Sequence, residues 1–258
     1  MNDDQTDRDW ESFAQLDPYW SVLSTEEFHR KGLTAAVLDR FFKSGADHIG
    51  STIAMLGSRF GAPTRFDISL DFGCGVGRLL IPLAAVSKKA IGLDVAPTML
   101  ALCRQHAEDR GVRNIELYRC DDQLSSVQQY AGAVDLITSF IVLQHIPPRR
   151  GAQIIASLLK LIRPGGYGYL QVTFAALIQS LHYEAASVTG TQYSFYQRTE
   201  NGLVKLVERP VEDRQIQMNH YNMNEILCIL YQAGIAEIVT RFTNHSNILG
   251  AEFYFRKP

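Results

Sequence analysis

Three glycines and an aspartate lie close together near residue 75, with a spacing that suits the binding of a ligand. Residues 71–77 read Asp-Phe-Gly-Cys-Gly-Val-Gly and end a short apolar run. Glycines in a turn between a strand and a helix let backbone N–H groups approach a ligand closely, and the helix N-terminus adds partial positive charge. Nucleotides and carboxylates both suit such a turn.

A second carboxylate, Asp94, lies 21 positions after Gly73, where a second apolar run ends. A carboxylate at that spacing can accept hydrogen bonds from both hydroxyls of a ribose, although it could instead cap the following helix. A nicotinamide enzyme would share these features, but its GxGxxG fingerprint needs a glycine where this chain has Arg78. Asp71, just before the turn, suits an ammonium group better than a pyrophosphate. The residues therefore favour an adenosine that carries an amino acid over a dinucleotide.

Short apolar runs alternate with helical patterns on both sides of this turn. We predict strands at 68–72, 89–94, 115–120, 134–140 and 167–174, and helices that begin near 78 and span 97–110, 149–162 and 224–233. Such alternation predicts an α/β fold with a doubly wound, mostly parallel sheet. The last two strands, at about 235–242 and 251–255, are joined by too few residues for a crossover helix. They must therefore be antiparallel.

The two remaining parts of the chain lack this alternation. Residues 1–47 are predicted to form an N-terminal helical cap, and residues 48–258 a ligand-binding domain. Helical patterns occur around 26–42 and 47–60, after the aromatic stretch Asp-Pro-Tyr-Trp at 17–20. Residues 175–221 are rich in aromatic and charged side chains, and their hydrophobic residues follow no regular helix or strand period. This segment is predicted to be an insertion on top of the sheet.

Five ordered features together resemble the class I methyltransferases, which use S-adenosylmethionine. Residues 71–77 match the first motif of that family, D/E-x-G-x-G-x-G, and Asp94 matches its ribose-binding acid. The other matches are the third strand end at 120–122, the fourth motif at 134–145, and the helix and turn at 158–166. The resemblance spans about residues 48–258. It implies a Rossmann-like methyltransferase fold of seven strands with a reversed last strand, and S-adenosylmethionine as the cofactor.

The resemblance also implies roles for individual residues. Asp71 would face the methionine amino group, Asp94 the ribose, and Asp121 the exocyclic amine of adenine, with Asp122 as the alternative. The other implied cofactor contacts are Gly73, Gly75, Gly77, Val95, Met99, Ser139 and Phe140. From the cap, Tyr19 or Trp20 would shield the sulfonium from water, unless they only pack in the core. Methyl transfer is an in-line displacement, so no metal is required.

His145 follows the fourth predicted strand and is the candidate catalytic base for a hydroxyl acceptor, with a pKa near that of free histidine. The alternative is that it only packs there. Residues 139–142 read Ser-Phe-Ile-Val and depart from the N/D/S-P-P-Y/F loop common in DNA and RNA amino-methyltransferases. We therefore predict methyl transfer to an oxygen, nitrogen or carbon of a small molecule. The alternatives are a protein or RNA acceptor, and a cofactor-binding protein without turnover.

The composition excludes several other classes. Hydrophobic residues make up 46% of the 258-residue chain and charged residues 20%, which is ordinary globular usage. With 25 basic and 27 acidic residues, no strong charge attracts nucleic acid or an anionic membrane. No apolar run suggests a signal peptide or a membrane span, and the four scattered cysteines form no zinc or disulfide pattern. We expect a cytoplasmic enzyme with a small-molecule partner, no nucleic-acid partner, no membrane partner and no metal.

Overall fold

The computed structural model describes residues 4–177, 183–189, 192–198, 204–210, 216–245 and 247–258. This part of the chain contains seven α-helices: α1 (Asp4–Leu16), α2 (Pro18–Val22), α3 (Ala35–Phe60), α4 (Leu80–Ala85), α5 (Pro97–Asp109), α6 (Pro148–Leu161) and α7 (Met223–Gln232). It also contains ten strands: β1 (Phe66–Phe72), β2 (Ser87–Asp94), β3 (Ile115–Arg119), β4 (Val134–Ser139), β5 (Ile162–Ala176), β6 (Tyr183–Thr189), β7 (Gln192–Arg198), β8 (Val204–Pro210), β9 (Ile238–His245) and β10 (Ile248–Arg256). None of the described helices is both long and apolar enough to cross a membrane.

Seven of the strands form one sheet in the order β3-β2-β1-β4-β5-β10-β9. Strands β1 to β5 are parallel, and β10 lies antiparallel to both β5 and β9. The central strands are buried on both faces, as parallel strands covered by helices must be. The predicted α/β fold, with a mostly parallel seven-stranded sheet and an antiparallel C-terminal strand, is confirmed.

The predicted insertion contains a second sheet. Strands β6, β7 and β8 are antiparallel neighbours and do not pair with the large sheet. The bounds of the insertion stay a prediction. Residues 216–221, the last part of the segment predicted as an insertion, lie beside the ends of β4 and β5. There, the backbone N–H of Tyr221 donates a hydrogen bond to the Thr173 carbonyl oxygen at 2.8 Å.

The N-terminal part differs from the prediction in three ways. Residues 4–16 form helix α1, which the sequence analysis did not predict. The two helical patterns expected at 26–42 and 47–60 are largely one helix, α3, of 26 residues. Residues 26–32 form only short 3₁₀ turns before it. A boundary at residue 47 would fall inside α3, so the division into a cap and a domain stays a prediction.

Helix α3 packs directly against the glycine turn through Gly45. A Cβ atom added at Gly45 would lie 1.9 Å from the backbone carbonyl oxygen of Arg78, which no L side chain can accept. Arg78 follows the last glycine of the turn, and its guanidinium donates a hydrogen bond to the Ser44 hydroxyl on the same helix at 3.3 Å. A glycine in α3 therefore permits the close approach that joins the N-terminal region to the turn.

This close approach predicts opposite effects for two substitutions in one helix. Gly45→Ala should destabilise the protein by about 1–3 kcal/mol or more, because the added methyl group overlaps a backbone atom. Gly50→Ala should stabilise it by about 0.5–1 kcal/mol, because a Cβ there meets nothing within 4 Å and alanine favours the helix. Urea unfolding of both variants measures the difference. Equal stabilities would show that α3 does not dock through Gly45.

Candidate functional site

A cavity lies at the carboxyl ends of the parallel strands, beside the point where the strand order reverses between β1 and β4. Ligands of open α/β sheets bind at this position. Eight of the residues singled out from the sequence line the cavity, namely Gly73, Gly75, Asp94, Val95, Met99, Asp121, Phe140 and His145. The remaining predicted site residues, which are Asp71, Gly77, Ser139, Tyr19 and Trp20, lie outside the lining.

The glycine turn takes the backbone conformation for which glycine is required. Gly73, Gly75 and Gly77 all have positive φ, at 74°, 50° and 93°. A Cβ at Gly73 would lie 2.4 Å from the Val142 side chain, whereas one at Gly77 would lie 2.8 Å from the Cys103 sulfur. Gly73 and Gly75 therefore form the cavity floor. Gly77 instead allows the turn to pack on α5.

Asp94 holds the turn and faces the cavity at the same time. Its Oδ2 accepts a hydrogen bond from the Gly75 N–H at 2.9 Å, and its Oδ1 accepts one from the Ala96 N–H at 2.9 Å. Burial raises the pKa of this carboxyl to about 6, against the lowering effect of its backbone hydrogen bonds. A carboxylate has about four lone-pair sites, so it can accept further hydrogen bonds besides those from the backbone. Holding the turn and binding a ribose are therefore compatible roles for Asp94.

Two predicted cofactor residues lie behind the cavity wall. Asp71 is buried, and its carboxylate accepts a hydrogen bond from the Thr138 hydroxyl at 2.9 Å. Burial raises the pKa of Asp71 to about 7, while the Thr138 hydrogen bond and the charge of Arg78 act in the opposite direction. Ser139 is fully buried, and its hydroxyl has no hydrogen-bond partner among the described residues. Direct cofactor contact from either residue would need a rearrangement or an intervening water.

The end of β3 supplies two adjacent carboxylates with different surroundings. Asp121 is exposed, and its Oδ1 accepts a hydrogen bond from the Ser125 N–H at 3.0 Å. Asp122 accepts a hydrogen bond from Arg150 Nε at 2.6 Å. The charge of Asp122 is therefore engaged by a guanidinium, which favours Asp121 as the adenine contact.

The structure corrects the predicted contribution of the cap. Tyr19 points into the core, where its hydroxyl and His106 Nε2 are hydrogen-bonded at 2.8 Å. Trp20 stacks on His29 with ring centroids 4.9 Å apart. The aromatic residue of the N-terminal helices that lines the cavity is Trp10 of α1. The sequence signal for α1 was the spacing of Trp10, Phe13 and Ala14, a short apolar stripe in an otherwise polar segment.

His145 lies in the cavity wall, and both of its ring nitrogens are engaged. Nδ1 is 2.8 Å from the Gln217 carbonyl oxygen, which can only accept, so Nδ1 carries the hydrogen. Nε2 is 3.2 Å from the side-chain nitrogen of Gln144 and accepts from it. Burial lowers the pKa of His145 to about 4, although the hydrogen bond to Gln217 acts in the opposite direction. The expectation of a pKa near that of free histidine is therefore corrected, and the imidazole is neutral at pH 7.

The loop that carries His145 is held by residues that the sequence analysis did not identify. The Tyr221 hydroxyl shares its one hydrogen between the carbonyl oxygens of Leu143 and Ile146, at 2.8 and 3.0 Å. Gln171 Oε1 accepts from the N–H of Ile141, whose φ of 58° is unusual for a β-branched residue. Because β5 and residues 217–221 reach this loop only in the folded chain, no local pattern could have predicted these contacts.

The charge of the lining is unbalanced. Among the side chains that the structure describes, four carboxylates lie on it, from Asp7, Asp94, Asp121 and Asp122, and Arg150 is the single Lys or Arg. The described residues contain no group of three or more His, Cys, Asp or Glu side chains that could hold a metal ion. The cavity therefore suits a cationic organic ligand with hydroxyl and amine donors.

Comparison with known proteins identifies relatives of the central part of the chain. Residues 70–166 match a family model described as a methyltransferase domain. A ubiquinone biosynthesis O-methyltransferase from Cronobacter sakazakii is 29% identical over 165 residues, which cover 59% of this chain and 65% of that protein. Another, from Acinetobacter baumannii, is 31% identical over 124 residues, which cover 48% of this chain and 49% of that protein. The chain thus spans half to two thirds of the length of these curated relatives.

Solved structures extend the likeness to the whole fold. The structure of magnesium protoporphyrin IX methyltransferase from Synechocystis PCC 6803 with bound SAH has a TM-score of 0.61 at 17% identity, and the match covers 93% of each chain. At that identity the likeness concerns the fold alone. The family model covers the glycine turn, Asp94 and His145, whereas α1 and α2 lie outside it. The resemblance stated from the sequence is confirmed.

Proposed function

We propose that this chain, a class I methyltransferase by its fold and by the family model that it matches, transfers a methyl group from S-adenosylmethionine to a small molecule. The observation that supports this most is the described part of the cavity lining, where four carboxylates outnumber the guanidinium of Arg150. Such a lining attracts a ligand with sulfonium and ammonium charges and repels a pyrophosphate. A nicotinamide dinucleotide is therefore disfavoured at the same glycine turn.

The cavity residues fit the parts of this cofactor. Asp94 would accept the ribose hydroxyls, and Asp121 the adenine amine, with Val95 and Met99 against the adenine ring. Gly73 and Gly75 would let the backbone approach the methionine portion closely, and Phe140 would lie beside it. Asp71, buried behind the turn, would act on the amino group through a water molecule. Bound S-adenosylmethionine would supply a methyl group on a sulfonium, and in-line alignment of this group with the acceptor requires no metal.

The acceptor that we favour is a hydroxyl group of a small molecule. The curated relatives are named as O-methyltransferases, and His145 Nε2 in the cavity wall would take the departing proton once its hydrogen bond from Gln144 opens. Trp10 presents an aromatic ring whose centroid is 5.1 Å from that of His145. We therefore place the acceptor between the loop after β4 and helix α1. An amine or carbon acceptor would need less help from a base.

Binding of S-adenosylhomocysteine tests the proposal before any acceptor is known. The demethylated cofactor should raise the melting temperature by an amount that corresponds to about 2.7 kcal/mol at 100 times Kd, and NADH should have no effect. Stabilisation by NADH without stabilisation by S-adenosylhomocysteine would contradict the proposal. A panel of phenols, amines and carboxylic acids, with transfer of a labelled methyl group as the readout, would then identify the acceptor class. Binding without transfer to any of them would indicate a cofactor-binding protein without turnover.

A cytoplasmic location and the absence of a nucleic-acid partner belong to the same proposal. The four cysteines are free thiols, three of them buried, as suits a reducing compartment. The formal net charge of −2 gives no general attraction to nucleic acid. Methylation assays with RNA beside the small-molecule panel would test the second point.

A further inference from the structure

The cavity is too small, as it stands, for a nucleoside. It encloses about 80 Å³, whereas pockets for organic ligands typically measure roughly 300–1,000 Å³. One wall consists of side chains from the N-terminal helices, namely Thr6, Asp7 and Trp10 of α1 and Ser21 and Val22 of α2. The Val22 side chain lies directly over the glycine turn, 3.0 Å from the position of a Cβ at Gly75. A cofactor can therefore enter only if part of this lining moves.

An ion pair connects helix α1 to the opposite wall of the cavity. Arg150 of α6 donates to both carboxylate oxygens of Asp7, at 2.7 and 3.1 Å. Only 7% of the Arg150 side chain is exposed, and its Nε donates to Asp122 at the end of β3. Paired, two-point contacts between guanidinium and carboxylate are among the strongest hydrogen bonds in proteins. Arg150 therefore connects α1 to the adenine end of the proposed cofactor site.

A second contact holds α1 from outside the cavity. Glu11 accepts hydrogen bonds from the N–H and the hydroxyl of Thr98, at 3.1 and 2.5 Å. Thr98 lies in the first turn of α5, so Glu11 caps that helix and does not line the cavity. The contact that borders the ligand space is the one through Asp7, whose side chain is 24% exposed and therefore reachable by water.

We propose that Arg150 is a positioning residue that latches α1 over the cofactor cavity through Asp7, so that opening of this ion pair controls release of the demethylated cofactor. The inference rests on the proposed function for the identity of the ligand, and on the geometry alone for the latch. With the latch closed over a bound cofactor, α1 would cover the site while lining side chains such as Val22 shift to make room. With it open, α1 would move away from the end of β3 and the cofactor could leave.

The variant Asp7→Asn tests the latch, because it keeps the shape of the side chain and removes its charge. Loss of one member of a buried charge pair acts mainly on dissociation, so the dissociation rate of S-adenosylhomocysteine should rise at least about tenfold. Stopped-flow tryptophan fluorescence can follow it, since Trp10 lines the cavity. Arg150→Lys keeps the charge but cannot make the two-point contact of a guanidinium with Asp7. It should therefore also raise the dissociation rate. Arg8→Gln, an exposed change on the same helix, is the matched control and should leave the rate unchanged.

Hydrogen exchange of the protein without cofactor gives a second, independent readout. Backbone amides of residues 4–16 should exchange faster in Asp7→Asn than in the wild type and in Arg8→Gln, while those of β1 and β4 stay equal. If the wild type does not bind S-adenosylhomocysteine, the proposed function fails, and the exchange data still decide whether the latch exists. Unchanged exchange in a folded Asp7→Asn variant, or an unchanged dissociation rate, would overturn the inference.

Discussion

Replacement of Asp94 by alanine should weaken binding of S-adenosylmethionine and of its demethylated product by tenfold or more. In the proposed complex, two ribose hydroxyls donate to a charged carboxylate, and such hydrogen bonds contribute about 1.5–3 kcal/mol each. The alanine variant also leaves the N–H groups of Gly75 and Ala96 without their acceptor. Part of the loss would therefore come from a less ordered glycine turn.

The variant Asp94→Asn separates the two roles. Asparagine keeps one acceptor oxygen for the N–H groups of Gly75 and Ala96, so it should lower the free energy of unfolding less than alanine does. Affinity should still fall, because an uncharged side chain with a single acceptor oxygen cannot serve both hydroxyls. Calorimetry gives Kd, and urea unfolding gives the stability. An unchanged Kd in the folded asparagine variant would show that Asp94 only holds the backbone N–H groups after β1 and β2.

The raised pKa of Asp94 adds a pH dependence with a definite sign. Burial raises this pKa to about 6, so the carboxyl of the free protein is ionised above pH 6 and protonated below it. Cofactor affinity should therefore decrease as the pH falls through about 6. In Asp94→Asn this decrease should be smaller, because the group that titrates is absent. Titrations at pH 7.5 and 5.5 on both proteins provide the comparison.

Replacement of His145 by glutamine should lower kcat by about a hundredfold with a hydroxyl acceptor and change the cofactor Kd little. General bases contribute about 10²–10⁴ to rates, and we expect the low end because burial makes this imidazole a weak base. His29→Gln, which changes a histidine outside the cavity lining, is the control and should keep normal activity. Single-turnover kinetics with saturating cofactor measures the effect on the chemical step.

The wild-type pH profile provides a second check on His145. Because burial lowers its pKa to about 4, the ring is neutral throughout the range above pH 5. This residue should therefore cause no inflection in kcat near pH 6.5, and a fall attributable to it should appear only as the pH approaches 4. Normal kcat in His145→Gln, or joint loss of stability and cofactor binding, would make His145 a packing residue.

Local patterns in the sequence determined the central sheet and the floor of the cavity. The apolar runs of β1, β2 and β4 and the helices between them follow from hydrophobic period, and the parallel arrangement follows from that alternation. The glycine turn could be assigned because its three positive-φ positions require glycine. The positions of Asp94 and Asp121 followed as well, since residues after parallel strands meet at one edge of the sheet.

The tertiary structure alone decided which residues close the site. Tyr19 was expected to cover the cofactor, yet the rotation of α2 points it to His106, and Trp10 of α1 takes the place beside His145. The partners Arg150 and Asp7 are 143 positions apart in the chain. Such contacts depend on how the helices rotate and pack on the sheet. The burial of many side chains together sets that packing, so the local spacing of residues does not predict which side chains meet.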